Sequence, residues 1–146
     1  MKTVAHILRS KQHQTVYTIT PEARVWDALK LMAEKGIGAL VVVEGPRIVG
    51  IVSERDYARK VVLQGRSSED THVRDIMSSP VMYVRPDHTN EDCMALMTEN
   101  RLRHLPIMDK GELIGLISIG DLVKDIISEQ QFIIEQLEHY IRGDRG

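Results

Sequence analysis

Two serine–aspartate pairs in this chain have the spacing needed to hold a sugar. Ser53-Glu-Arg-Asp56 and Ser118-Ile-Gly-Asp121 each place a hydroxyl, then three residues later a carboxylate, where an apolar run ends. A carboxylate on the first turn of a helix accepts two hydrogen bonds from a vicinal diol such as ribose. The free N–H groups and dipole of the same helix start favour an anion. The spacing also fits a capping box, in which hydroxyl and carboxyl satisfy those N–H groups and nothing else is bound. Each turn alone supports both readings.

The two turns have matching surroundings. Gly50-Ile-Val-Ser-Glu-Arg-Asp56 returns 65 residues later as Gly115-Leu-Ile-Ser-Ile-Gly-Asp121. In that register Val16 falls on Val81, Pro21 on Pro86, Asp27 on Asp92, Leu31-Met32 on Leu96-Met97 and Leu40 on Leu105, without a gap from Thr15 to Val62. Val4-Ala-His-Ile-Leu8 resembles Val73-Arg-Asp-Ile-Met77 at an offset of 69, so the first copy carries four extra residues within Arg9–Gln14. Two copies of roughly sixty residues are too long and too few for a solenoid. A pseudo-symmetric pair sharing one core fits better. The glycine ahead of each turn weakens a buried strand unless another group approaches closely, which points beyond a simple cap.

The elements that must position these turns repeat in the same order. Val16–Ile19 has the pattern of a short strand. Thr20-Pro21-Glu22 has the composition of a helix start, and Val25, Ala28, Leu29, Met32 and Ala33 recur at helical spacing up to Gly36. Ala39–Val43 and Ile48–Val52 are continuous apolar runs, as expected of strands buried on both faces, and Glu44–Arg47 is the turn between them. Ser53 opens a helix to about Leu63. Gln64–Asp70 is polar and links the copies. The second copy predicts a strand at Val81–Val84, a helix at Asp87–Asn100, strands at His104–Met108 and Glu112–Ile117, and a helix from Ile119. The expected fold is α/β (α+β): two β-α-β-β-α halves packed through their small sheets. The units expected are 3–66 and 72–127, with a linker at 67–71 and a C-terminal helical extension at 128–146.

That extension keeps a helical apolar period through Ile133, Ile134, Leu137 and Ile141, and Gly143 is expected to end it. A continuous helix from Ile119 to Ile141 would be about 34 Å long at 1.5 Å per residue, more than the domain needs to cover its own core. It either folds back on the domain or docks on a second chain.

Composition narrows the function. The net charge of −2 gives no reason to expect a nucleic-acid surface but leaves room for local basic clusters that hold a small anion. A single cysteine, Cys93, rules out an intrachain disulfide; it falls on Ala28 in an apolar helical pattern and reads as a buried small residue. No signal peptide and no membrane-length apolar stretch is visible, and the expected location is cytoplasmic. The chain has no P-loop, no nucleophile elbow and no His-x-x-x-His or Cys-x-x-Cys pair, so neither catalysis nor a metal is expected.

Taken together, the doubled Gly-x-x-Ser-x-x-Asp turns, Thr20-Pro21 and Arg85-Pro86, Gly36-Ile-Gly-Ala-Leu-Val-Val43 and Arg103-His-Leu-Pro-Ile107 resemble a tandem pair of CBS domains, the Bateman module, over about residues 3–127. The resemblance implies an adenosyl ligand in the cleft between the halves: AMP, ADP or ATP, or else NAD or S-adenosylmethionine. It implies ribose contacts from Asp56 and Asp121, assisted by Ser53 and Ser118. The adenine slot would be bounded by Val16-Tyr17 and Val81-Met82, and by Ile37-Gly38-Ala39 and Leu102-Arg103, with Pro106 and Gly120 nearby. Phosphate would fall to Arg103, His104 and Arg55, and to Lys11. The resemblance further implies a homodimer of such pairs and a regulated partner protein.

The copies are not equal. Arg55 stands where the second copy has Gly120, whereas Arg101, Arg103 and His104 stand where the first has Gly36, Gly38 and Ala39. Each basic position is filled in one copy only, which predicts one shared anionic centre. Two functions fit: an adenosyl-binding regulatory module, and a ligand-free interaction or dimerisation module.

Overall fold

The computed structural model of the chain describes residues 2–11, 15–79 and 81–142. A short helix α1 (Val4–Ser10) leads to strand β1 (Thr18–Ile19), helix α2 (Val25–Lys35), strands β2 (Ala39–Glu44) and β3 (Arg47–Ser53) and helix α3 (Glu54–Tyr57). A π-helical turn, Ala58–Val62, extends α3, and a 3₁₀ turn, Val73–Asp75, bridges to the second copy. There follow α4 (Asn90–Asn100), β4 (His104–Asp109), β5 (Glu112–Ser118) and α5 (Ile119–Arg142).

The repeat register holds in space. Ala39 pairs with Ser53 and His104 with Ser118, and both hairpins shift register at the same place, Val42/Val43 and Ile107/Met108. The sheets differ at one edge. In the first, β1 lies parallel to β2, and the Val41 N–H donates to the Tyr17 carbonyl at 3.4 Å. In the second, the expected strand at Val81–Val84 shrinks to a single bridge between Val84 and Ile107. The reason lies at Pro106, which occupies the position of Val41 and has no N–H to give to Met82. Only the bonds on either side of Val84 survive, Val84 N–H to Pro106 O (3.0 Å) and Met108 N–H to Val84 O (2.8 Å).

The helices also start later than Pro21 and Pro86, at Val25 and Asn90. The proline carbonyls are taken by segments that cross between the halves. Ala5 N–H donates to Pro86 O (3.0 Å) and Val4 N–H to His88 O (2.7 Å); in the same way Arg74 N–H donates to Pro21 O (3.0 Å) and Val73 N–H to Ala23 O (2.8 Å). Thr89 then caps α4 in a reciprocal box with Asp92. At its other end α4 stops on Arg101 in the left-handed region (φ 55°), where α2 stops on Gly36 (φ 63°).

Two aliphatic cores result, and each is completed by the segment that precedes the other copy. Val73 and Ile76 sit among Val25, Ala28, Met32, Leu40, Val42, Val52 and Val61. Val4 and Ile7 sit among Val84, Cys93, Met97, Leu105, Ile107, Ile117 and Leu122. The exchange accounts for the two strand glycines. A Cβ on Gly115 would lie 2.8 Å from Leu8 Cδ1, and one on Gly50 would lie 2.6 Å from Met77 Sδ and 3.0 Å from the Ser78 carbonyl. Leu8 and Met77 are equivalent residues at the ends of the two crossing segments. The group that approaches each glycine is therefore a protein side chain and not, as the sequence suggests, one that points to a binding role.

Helix α5 behaves differently from its counterpart. Leu122 is buried in the second core, whereas every residue from Ile127 to Ile141 is exposed. Phe132, Ile133, Ile134, Leu137 and Ile141 are all more than half exposed. Gly143, expected to end the helix, lies outside the described residues.

Candidate functional site

Both serine–aspartate turns form helix caps. Ser53 N–H donates to Asp56 Oδ2 (2.9 Å) while Asp56 N–H donates to Ser53 Oγ (3.2 Å); Ser118 N–H donates to Asp121 Oδ2 (2.8 Å) and Asp121 N–H to Ser118 Oγ (3.2 Å). The capping reading is thus correct as local structure. It leaves each carboxylate on the first turn of its helix, half-buried, with Oδ1 outside the cap.

What Oδ1 meets differs between the turns. Asp56 Oδ2 also accepts from Ser53 Oγ (3.0 Å), and Oδ1 faces Lys60 Nζ at 3.4 Å. Lys60 lies on the same helical segment and also donates to the Ile76 carbonyl (2.9 Å). Both Asp56 oxygens are therefore engaged. At the other turn Lys11 Nζ contacts Asp121 Oδ2 at 2.9 Å, and Oδ1 has no protein donor among the described residues. Burial alone raises the Asp121 carboxyl, but the Ser118 amide and the Lys11 ammonium outweigh it and hold the group below its ordinary value.

A cleft of about 980 Å³ opens in front of Asp121. It brings together Lys11, Val16, Tyr17, Ile37, Gly38, Ala39, His104, Ser118 and Asp121 from the predicted set, with contributions from both halves. Lys35 lies 5.3 Å from the Tyr17 ring centroid and caps one wall. The loops on either side are pinned to the helix starts: Glu54 N–H donates to Gly38 O (3.1 Å), and Ile119 N–H donates to Arg103 O (2.9 Å).

The remaining predicted residues lie elsewhere. Ser53, Arg55, Asp56, Met82, Leu102, Arg103 and Gly120 do not line this cleft. Pro106 is buried within β4. Val81 lines a separate groove of about 750 Å³ with Arg47, Ile48, Tyr83 and Arg85. The basic residues of the two copies do approach each other: Arg103, and after it Arg59, lower the proton affinity of Arg55. His104 stands between the two turns. Burial holds its imidazole below the ordinary value; Lys11 and Arg103 push the same way, and the Asp121 and Asp56 carboxylates oppose them. Sequence reasoning missed Lys124, Asp125 and Ser128 in the cleft wall. Their signal is the helical spacing from Asp121, which continues the face that carries it.

Two like α+β units, arm-exchanged and enclosing a cleft at the head of a capped helix, define a tandem pair module. The chain belongs to the CBS-domain family: the family model described as CBS domain matches residues 4–63 and 73–128. It is 42% identical over 129 residues to the CBS domain-containing protein CBSX3, mitochondrial, of Arabidopsis thaliana, an alignment covering 85% of this chain and 63% of that one. The chain thus spans less than two thirds of that relative. A solved structure of a protein with CBS domains from Burkholderia ambifaria MC40-6 is 62% identical, with a TM-score of 0.84 over 88% of this chain and 96% of the other. The crystal structure of CBSX2 in complex with AMP is 27% identical, with a TM-score of 0.70 over 89% of this chain and 99% of the other. Among the described residues no helix is long and apolar enough to cross a membrane, and no cluster of His, Cys, Asp and Glu is arranged to hold a metal.

Proposed function

We propose that the chain is a regulatory module that binds an adenosyl ligand, AMP or a related adenine nucleotide, in the cleft at Asp121 and acts on a partner protein. One observation carries this reading. The cleft joins the Tyr17 and Ile37–Ala39 slot of the first half to the Ser118–Asp121 turn of the second, where one carboxylate oxygen lacks a donor among the described residues. A flat apolar slot beside a diol acceptor matches a nucleoside, and Lys11 and His104 at the same wall suit a phosphate. The AMP complex of CBSX2 supports the ligand class. In this reading Asp56, with Ser53, Arg55, Val81, Met82, Leu102 and Arg103, forms the pseudo-equivalent position, occupied more weakly because Lys60 satisfies its carboxylate. Bound nucleotide is released unchanged.

Titration calorimetry of the full chain with AMP, ADP, ATP, NAD and S-adenosylmethionine tests the proposal. Binding by at least one is expected, with loss in Asp121→Ala and a smaller effect in Asp56→Ala. No heat with any of the five overturns it.

A second reading rests on α5. Its outer half leaves Phe132, Ile133, Ile134, Leu137 and Ile141 each more than half exposed among the described residues, a face suited to pairing two copies of the chain. Light scattering after truncation at Ser128 is expected to show a smaller assembly than the full chain. An unchanged mass counts against pairing through α5.

A further inference from the structure

Lys11 holds one of the two Asp121 oxygens to which a ribose diol is proposed to bond. Its ammonium contacts Asp121 Oδ2 at 2.9 Å and donates to the Leu116 carbonyl at 2.7 Å, and both partners line the 980 Å³ cleft. The pair is shielded, with side-chain exposures of 24% and 18%. In the first half the equivalent carboxylate, Asp56, is neutralised by Lys60 from its own helix. The residue equivalent to Lys60 is Asp125, a second carboxylate one turn beyond Asp121, itself held by Lys2 (3.3 Å) and Asn90 (2.9 Å). The second helix therefore has no lysine of its own at this position, and the cation is delivered from the end of α1, the arm that crosses from the start of the chain.

We infer that Lys11 is the residue by which this cleft discriminates phosphorylated adenosyl ligands from uncharged and cationic ones. A diol that bonds to Asp121 competes with the lysine. An uncharged nucleoside displaces the ion pair and returns nothing to the ammonium. A sulfonium ligand adds a positive charge beside it. A nucleotide supplies a phosphate to which the released ammonium turns, within the sweep of its four-carbon stem while Leu116 holds its other bond. The ion pair thus acts as a filter: it costs every ligand the same opening and repays only the anionic ones.

This inference rests on the adenosyl reading of the cleft, and calorimetry with AMP and adenosine on the full chain separates the two. Lys11→Met is expected to weaken AMP by about tenfold or more, the loss of one charge-assisted hydrogen bond. The same variant is expected to tighten adenosine by up to about fivefold, because a partly exposed ion pair no longer has to open. Lys11→Arg keeps the wild-type preference, and thermal melts of both variants establish that they fold. An AMP-to-adenosine ratio unchanged in Lys11→Met, or equal weakening of both ligands, overturns the role of Lys11 while leaving the cleft assignment intact. Binding of neither ligand by the wild-type chain overturns both.

Discussion

Gly115→Ala tests whether the strand glycines serve packing or ligand approach. The new methyl would lie 2.8 Å from Leu8 Cδ1, 3.1 Å from Ile107 Cδ1 and 3.2 Å from Leu8 Cδ2. All three neighbours are tips of branched side chains, and Ile107 is fully buried, so Leu8 must do most of the yielding. Overpacking of this kind costs about 1–3 kcal/mol. Replacing glycine returns about 0.4–1 kcal/mol by restricting the unfolded chain. The net expectation is a loss of about 1–2 kcal/mol, or roughly 2–8 °C in Tm for a chain of this size. Urea denaturation of Gly115→Ala, Leu8→Ala and the double variant closes the cycle. Removing the Leu8 side chain relieves the clash, so the double variant should lose about 1 kcal/mol less than the sum of the singles. Additive losses refute the packing account. So does a Gly115→Ala protein that keeps its stability but no longer binds AMP, the pattern expected if a ligand were the close neighbour.

Four further outcomes are expected. Arg101→Gly relieves a left-handed residue at the end of α4 and should stabilise by about 1 kcal/mol, read as a rise in urea midpoint; no rise means the residue is not strained. Thr89→Ala removes the cap of α4 and should cost about 1 kcal/mol without changing AMP affinity. His104 and Asp121 both have folded values below their ordinary ones, 6.5 and 3.8, so the unfolded chain holds the extra proton and stability increases with pH. The His104 contribution is complete above its ordinary value and declines as pH falls through the folded one. Urea midpoints should fall between pH 7 and 5, less steeply in His104→Asn, and an equal slope in that variant refutes the assignment. Cys93 is fully buried and its thiol is pushed up to about 11, so a disulfide reagent should label it only after denaturant is added.

The sequence carried the repeat, and with it both hairpins, their registers and the paired turns, because one alignment offset fixes all of these at once. It misjudged the second copy's first strand. Val81-Met-Tyr-Val84 has the composition of a strand, but pairing depends on the neighbour, and Pro106 lacks the donor that Val41 supplies. The proline was visible at the aligned position; its consequence was not. The exchange of arms was hidden for another reason. The similarity of Val4–Leu8 to Val73–Met77 shows that both segments have a docking face, but not which core each one covers. The cleft was legible in part. Tyr17, Ile37–Ala39, Ser118 and Asp121 line one cleft, whereas Lys124, Asp125 and Ser128 enter it from the turns of α5 that follow Asp121, on the same face, where their polar side chains read in the sequence as solvent-exposed.

The arm exchange sets the order in which the chain can be finished during synthesis. The first core gathers residues up to Ile76 and closes as soon as the 3₁₀ turn emerges, since Val73 and Ile76 are its last members. The second core needs Val4 and Ile7, which are made before either sheet, and Leu122, which is made after both. The amphipathic start of the chain must therefore wait, uncovered, while the whole of both sheets is made. Its partner face is not complete until α5 adds Leu122. A nascent chain of this design carries an exposed apolar segment until both sheets have been made, and Lys11 reaches Asp121 only when that wait ends.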